Sequence, residues 1–201
     1  MRDTQIALRL LFVLAALGWS RITLAQNPAA LQPMQLSAFG GVAGDYTGLR
    51  GGKNLDVTAG VDLALPPVIG RRIRPTLEVR GRYPIDKGTI SSQRDVLGGL
   101  RVDFLLGRRF HPYGDFLVGR GQMNYGDHGY IFRNREYILT TTWVFSPGAG
   151  FDYDLSQNFA VKVDGQYQRW SSAPVDGGTI YAKVGTIGLV YVFNFNRHGI
   201  H

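Results

Sequence analysis

Cysteine is absent from the 201 residues, so neither a disulfide framework nor thiolate chemistry is open to this chain. Long apolar runs are missing too: after Leu17 nothing approaches the roughly 20 residues that a membrane-spanning helix needs. Histidine is scarce, with His111, His128, His198 and His201 scattered, and no cluster has the spacing of metal ligands. Asp152-x-Asp154 lacks the rest of a calcium loop. The Gly-Gly steps at 40–41, 51–52 and 98–99 lack the strand-to-helix setting of a phosphate loop. No metal, cofactor or catalytic residue is therefore expected.

What is present is alternation. From Thr186 to Phe195 one face carries Ile187, Leu189, Tyr191, Phe193 and Phe195, and the other Thr186, Gly188, Val190, Val192 and Asn194. Successive strand side chains point to opposite faces, so this is a strand with one large apolar face. The same period recurs. Leu55, Val57, Ala59, Val61, Leu63 and Leu65 oppose Asp56, Thr58, Gly60, Asp62 and Ala64, and Leu77, Val79, Gly81 and Tyr83 oppose Glu78, Arg80 and Arg82. Similar segments of roughly ten residues, the length of a tilted membrane strand, start near Leu36, Val96, Phe116, Trp143 and Phe159. The pattern predicts an all-β fold, an eight-stranded antiparallel transmembrane β-barrel over 36–195. Mean hydropathy of −0.07 fits, because lipid-facing and lumen-facing residues average out. Pro147 falls in mid-strand and predicts a bulge.

The first residues read differently. Arg2 and Arg9 precede the apolar stretch from Leu10 to Leu17, and Thr23-Leu24-Ala25 offers a cleavage site. That is a cleavable secretory signal peptide over 1–25, followed by a short linker over 26–35. Residues 196–201 form a tail. The net charge of +7 is dispersed among apolar residues and forms no continuous basic stripe, so nucleic acid is not an expected partner.

Connections of two kinds alternate. Those at 105–109 and 154–158 are tight, and Pro66 to Arg72 is somewhat longer. Those at 45–54, 84–92, 122–138 and 171–179 are open loops. Outer-membrane barrels keep short turns on the periplasmic side and longer loops outside, so both termini are expected in the periplasm. Aromatics bracket the strands as two membrane interfaces require. Tyr46, Tyr83, Trp143 and Tyr181 fall towards the loop end; Phe104, Phe110, Tyr153, Phe159, Phe193 and Phe195 fall towards the turn end.

Pro112-Tyr113 with Gly119, Gly148-x-Gly150-x-Asp152, Asp164-x-x-Tyr167 and Thr186-x-Gly188-x-x-Tyr191-x-Phe193 carry a resemblance. The chain resembles the small bacterial outer-membrane β-barrel family that includes the OmpA transmembrane domain, OmpX and porin-like surface proteins. The resemblance implies that Gly188, Tyr191, Phe193 and Phe195 form the signal read by the barrel-assembly machinery. One departure is that Asn196 to His201 follow the terminal aromatic of the pattern.

Lumen-phase charges are the first candidate site: Glu78, Arg80, Arg101, Asp103, Asp115, Asp152, Lys162 and Asp164. The two signs nearly balance along the lumen-phase positions, and the interior of an eight-stranded barrel is just wide enough for side chains to fill. A paired structural network is expected, with gating as the alternative role. The second candidate is loop 122–138, where Tyr130, Arg133 and Arg135 suit a surface ligand or lipopolysaccharide phosphates. A hydrolase would need a serine, a histidine and an orienting acid near the outer rim; His128 with Ser171 or Ser172 has no supporting spacing. The chain is read as a non-enzymatic outer-membrane protein, structural or acting through its loops, among outer-membrane lipid and lipopolysaccharide. A narrow low-conductance channel and a soluble lipocalin-type lipid-binding barrel are the alternatives. The last has the same period with its faces exchanged.

Overall fold

A computed structural model of the chain describes residues 34–47, 52–69, 72–87, 92–106, 109–125, 129–171 and 175–193. The expected signal peptide, most of the expected linker, the tail, His128, Ser172 and Phe195 lie outside the described residues. Ten strands follow in order: β1 (Gln35–Tyr46), β2 (Lys53–Ala64), β3 (Ile73–Asp86), β4 (Ser92–Phe104), β5 (Phe110–Asn124), β6 (Tyr130–Phe132), β7 (Arg135–Tyr137), β8 (Leu139–Asp154), β9 (Phe159–Ser171) and β10 (Thr179–Phe193). Eight of them close an antiparallel barrel in the order β1-β10-β9-β8-β5-β4-β3-β2, and β6 and β7 form a separate two-stranded sheet. Closure leaves no free strand edge, and every ladder finds a neighbour within the barrel wall.

The period-two pattern decides which way each strand faces. In β3, Leu77 and Val79 are 47% and 56% exposed while Glu78 and Arg80 are 0% and 5% exposed. β2, β4 and β10 repeat the contrast: Val57, Val96 and Ile187 look outward, and Asp56, Asp95 and Thr186 are buried. Bulky apolar side chains thus clothe the outside and ions line the inside. A lipocalin-type calyx requires the opposite arrangement, so that alternative is excluded by the direction of the faces. An exposed apolar belt around a polar interior is the solution for a barrel in hydrocarbon.

Two local expectations are corrected. Pro147 makes no bulge. It pairs with Phe116 of β5, and the β8–β9 ladder lapses at Ser146 and Pro147, then resumes in unchanged register at Gly148 and Gln166. A missing N–H donor costs a ladder bond there without displacing the strand. The register shift lies instead between Leu55 and Asp56, which face Asp86 and Pro84, leaving Ile85 as the extra residue. The long connection 122–138 also contains regular structure: its residues 130–137 form the β6–β7 hairpin, with Arg133 and Asn134 at φ 50° and 59° in the two-residue turn. Positive φ at both positions is the twist that suits a tight hairpin. The longer turn after β2 is held by a bridge between Val68 and Ile73, the Val68 N–H donating to the Ile73 carbonyl at 2.7 Å.

Candidate functional site

The eight charged residues singled out above come into one contiguous set of contacts. Arg80 donates through Nε to Glu78 Oε1 at 2.5 Å and through Nη2 to Asp164 Oδ2 at 2.7 Å, with Asp115 Oδ2 at 3.6 Å. Lys162, fully buried, places Nζ 3.2 Å from Glu78 Oε2 and 3.4 Å from Asp62 Oδ2. Arg101 donates through Nε to Asp103 Oδ1 at 2.6 Å, pairs with Asp152, and approaches Asp62 at 3.4 Å. Neutral groups take up further oxygens. Gln166 Nε2 donates to both Asp115 oxygens at 2.9 Å, Thr76 to Asp103 at 2.6 Å, and the Tyr113 hydroxyl to Asp164 at 3.2 Å.

Aromatic rings panel this network. Lys162 Nζ stands 3.8 Å from the centroid of Phe39, and Arg101 lies 3.7 Å from that of Tyr113, distances at which a cation is drawn to the ring face. The Phe39 ring fits because Gly60 has no side chain: a methyl there would stand 2.5 Å from Phe39 Cε1.

A second cluster lies nearer the loop end. Arg82 donates through Nη1 to Asp45 at 2.8 Å and Asp56 at 3.0 Å, and through Nη2 to Asp95 at 2.7 Å and Gln168 Oε1 at 3.1 Å. One guanidinium facing three carboxylates corrects the expectation that lumen charges nearly balance. Asp45 falls both in the first alternating segment, 36–46, and in the connection 45–54; β1 keeps it in the strand, through Tyr46, and buries it. Asp95 is in lumen phase with Arg101 and Asp103, so its position was readable from the period.

Apolar side chains also face the lumen, from mid-strand, where Leu97 pairs with Arg80, to the loop end, where Trp170 pairs with Ile180. Leu97, Leu117, Met123, Tyr125, Val144, Trp170, Ile180 and Ala182 form one buried cluster, with Tyr130, Tyr137 and Val175 packed against it. Trp170 is fully buried and ties the two layers together, its Nε1 donating to Gln168 Oε1 at 3.1 Å. At the other end a cavity of about 380 Å³ is lined by Asp62, Arg74, Arg101, Asp103, His111, Asp152 and Asp154, among others. The interior is thus a vestibule at the turn end, an ionic middle and an apolar plug that runs from beside that middle layer to the loop end. The plug was missed because its members interrupt the alternation of their strands one at a time.

The remaining candidates fall at the two rims. Tyr130 is half-buried and stacks on Tyr125, ring centroids 5.6 Å apart. Arg133 is exposed, 5.2 Å from the Phe132 ring and 3.7 Å from Asp176, and Arg135 is exposed on β7. Only the two arginines present free surface. At the turn end, His111 Nε2 lies 3.0 Å from Asp154 Oδ2, and Ser156 Oγ accepts the Phe159 N–H at 3.1 Å, which closes the β8–β9 turn. Gly188 sits opposite Gly41 on the seam between first and last strands. Tyr191 packs against Phe159 and Phe193 at 5.2 and 5.0 Å on the outer wall.

The two aromatic belts lie on that wall as well, and at the loop end they are interleaved with cations. Arg120 pairs across strands with Trp143, Arg169 with Tyr181, and Lys183 with Tyr46. Amphipathic rings beside basic groups suit a membrane–water interface. With a closed barrel, an apolar belt and a filled interior, the chain has the fold of the small, eight-stranded transmembrane β-barrels of outer membranes.

Solved structures are similar to the chain. Neisserial surface protein A (NspA) aligns over 97% of its own chain and 80% of this one at 12% identity, with a TM-score of 0.50. The N-terminal β-barrel domain of Pseudomonas aeruginosa OprF aligns over 100% and 80% at 14% identity, with a TM-score of 0.41. A de novo designed transmembrane β-barrel aligns over 100% and 85% at 18% identity, with a TM-score of 0.45. No family model and no curated protein matches the sequence.

Proposed function

We propose that this chain is a non-enzymatic protein of a bacterial outer membrane whose barrel is closed and whose work is done on its outer surface, through the loop-end hairpin. The observation that carries this reading is the plug: Met123, Tyr125, Val144, Trp170 and Ile180 pack together in the lumen towards the loop end. Buried apolar side chains across the lumen oppose a continuous water path, so in this reading the ionic middle layer acts as structural packing rather than as a gate. The interleaved cations and aromatics at the loop end support placing that end in the outer leaflet, among lipopolysaccharide phosphates, with both termini periplasmic. Gly188, Tyr191, Phe193 and Phe195 serve the barrel-assembly machinery in this reading.

The β6–β7 hairpin is the surface on offer. Ile131 is 74% exposed in the middle of β6, near Phe132, Arg133 and Arg135, a mix of apolar and guanidinium groups common at binding surfaces. The test is to replace Tyr130–Tyr137 by a Gly-Ser segment and to probe displaying cells against host-surface proteins and sulfated glycans. Loss of binding with the barrel still folded supports the reading, and binding unchanged from the parent overturns it.

A further inference from the structure

The lipid-facing wall carries a depression that neither the lumen nor the hairpin uses. It crosses β2, β3, β4 and β5 towards the loop end and has a volume of about 550 Å³, with Val57, Ala59, Gly81, Tyr83 and Val96 in its lining. Gly81 makes it a groove. The residue sits on the outer face between exposed Val79 and Tyr83, and a methyl placed there would meet only the Asp95 carbonyl oxygen, at 3.9 Å. Nothing but the missing side chain keeps that strip of wall low.

The loop-ward end of the groove is cationic. Val96 pairs with Arg120, and Arg94 with Gln122, so Arg94 and Arg120 stand diagonally on adjoining strands, both exposed. Each is held in place: Arg94 Nε donates to Gln122 Oε1, and Arg120 lies 4.5 Å from the Trp143 ring centroid. Among the described residues neither takes part in an ion pair. Beyond them a smaller cavity of about 100 Å³ is lined by Lys87, Arg94, Gln122 and Asn124. A guanidinium on the lipid face is tolerated near the interface and not at mid-membrane, and it pairs with phosphate through two parallel hydrogen bonds.

We propose that this groove binds a phosphorylated glycolipid of the outer leaflet, one acyl chain lying over Ala59 and Gly81 and a headgroup phosphate held between Arg94 and Arg120. Three cations with an apolar trough below them match a headgroup carrying more than one phosphate better than a single-phosphate glycerolipid. The inference rests on the proposed orientation, which puts the loop end in the leaflet where such lipid resides. Binding in micelles has no sidedness, so a failed orientation would leave the micelle result intact.

The experiment uses the refolded chain in a neutral detergent, titrated with purified lipopolysaccharide lipid anchor and, separately, with phosphatidylglycerol. Bound lipid is counted by native mass spectrometry. R94Q/R120Q is expected to weaken binding of the glycolipid by about tenfold or more, since two charge-assisted contacts are lost. Gly81→Leu fills the trough and is expected to do the same, with Gly81→Ala intermediate. R72Q/R109Q, exposed at the turn end, retains parental binding, and phosphatidylglycerol binds more weakly than the glycolipid. Equal losses in R94Q/R120Q and R72Q/R109Q, parental binding by folded Gly81→Ala and Gly81→Leu, or equal binding of the two lipids would each overturn the proposal.

Discussion

The Trp170 indole occupies the space that a side chain at Gly121 would need: a methyl at position 121 would stand 2.7 Å from Val144 Cγ2 and closer still to the indole ring. Two residues 49 positions apart in the sequence thus share one volume. The plug depends on the absence at one as much as on the bulk at the other.

Trp170→Ala is therefore expected to cost about 3–5 kcal/mol, the usual range for emptying a large buried aromatic site. Gly121→Ala also destabilises, because the indole has nowhere to retreat. Urea midpoints of the folded-to-unfolded transition, read from the heat-modifiable gel band, check both. Parental midpoints would mean that the apolar layer is not tightly packed.

The ionic middle layer gives a different signature. Arg80→Met strands Glu78 and Asp164 without their guanidinium, and breaking a buried pair from one side costs about 3–5 kcal/mol. Adding Asp164→Asn to that variant removes one of the stranded charges. The double variant is expected to be more stable than the sum of the singles by about 0.5–3 kcal/mol, measured in the same urea titrations. Strict additivity would show that the two residues do not interact.

Much of this was legible in the sequence, and the reason is the strand period. Glu78, Arg80, Arg101, Asp115 and Asp164 all fall on one parity of their strands, so their common destination followed without a structure. Which acid meets which base did not follow. Arg80 reaches Asp164 across 84 positions, and that meeting depends on how strands not paired with each other are staggered around the closed wall. Asp95 was visible by parity, and Asp45, at the end of the first segment, was obscured because the first connection was read from the same residue. The β6–β7 hairpin carries Arg133-Asn134 at its turn instead of the Asn-Gly or Asp-Gly that announces one. Lumen-facing Leu97, Leu117 and Trp170 looked like breaks in an alternating pattern, and only closure shows that five strands bring such breaks into one cluster.

Closure itself can be tested at the seam. A methyl at Gly41 would stand 2.5 Å from Gly188 Cα and 2.9 Å from the Ile187 carbonyl carbon, backbone atoms that cannot give way, whereas a methyl at Gly44 meets nothing within 4 Å. Gly41→Ala is expected to lose or greatly slow formation of the heat-modifiable band. Gly44→Ala, three residues along the same strand, folds like the parent, with a gain of up to about 1 kcal/mol from the stiffer unfolded chain. Equal behaviour of the two variants would remove the tight approach of β1 and β10.

Orientation has a clean assay because the chain contains no cysteine. Ile131→Cys, on the hairpin, is expected to react with a membrane-impermeant maleimide on intact cells. Leu155→Cys, exposed in the β8–β9 turn, reacts only after the outer membrane is breached. The reverse pattern would place the termini outside.

The most direct measurement is the current through planar bilayers containing the refolded chain, recorded beside the Trp170→Ala variant. A lumen plugged at its loop end predicts a flat baseline for the parent at moderate voltage, with openings appearing, if anywhere, in the variant. Stable stepwise openings in the parent would contradict a closed barrel and return the ionic layer to the role of a gate.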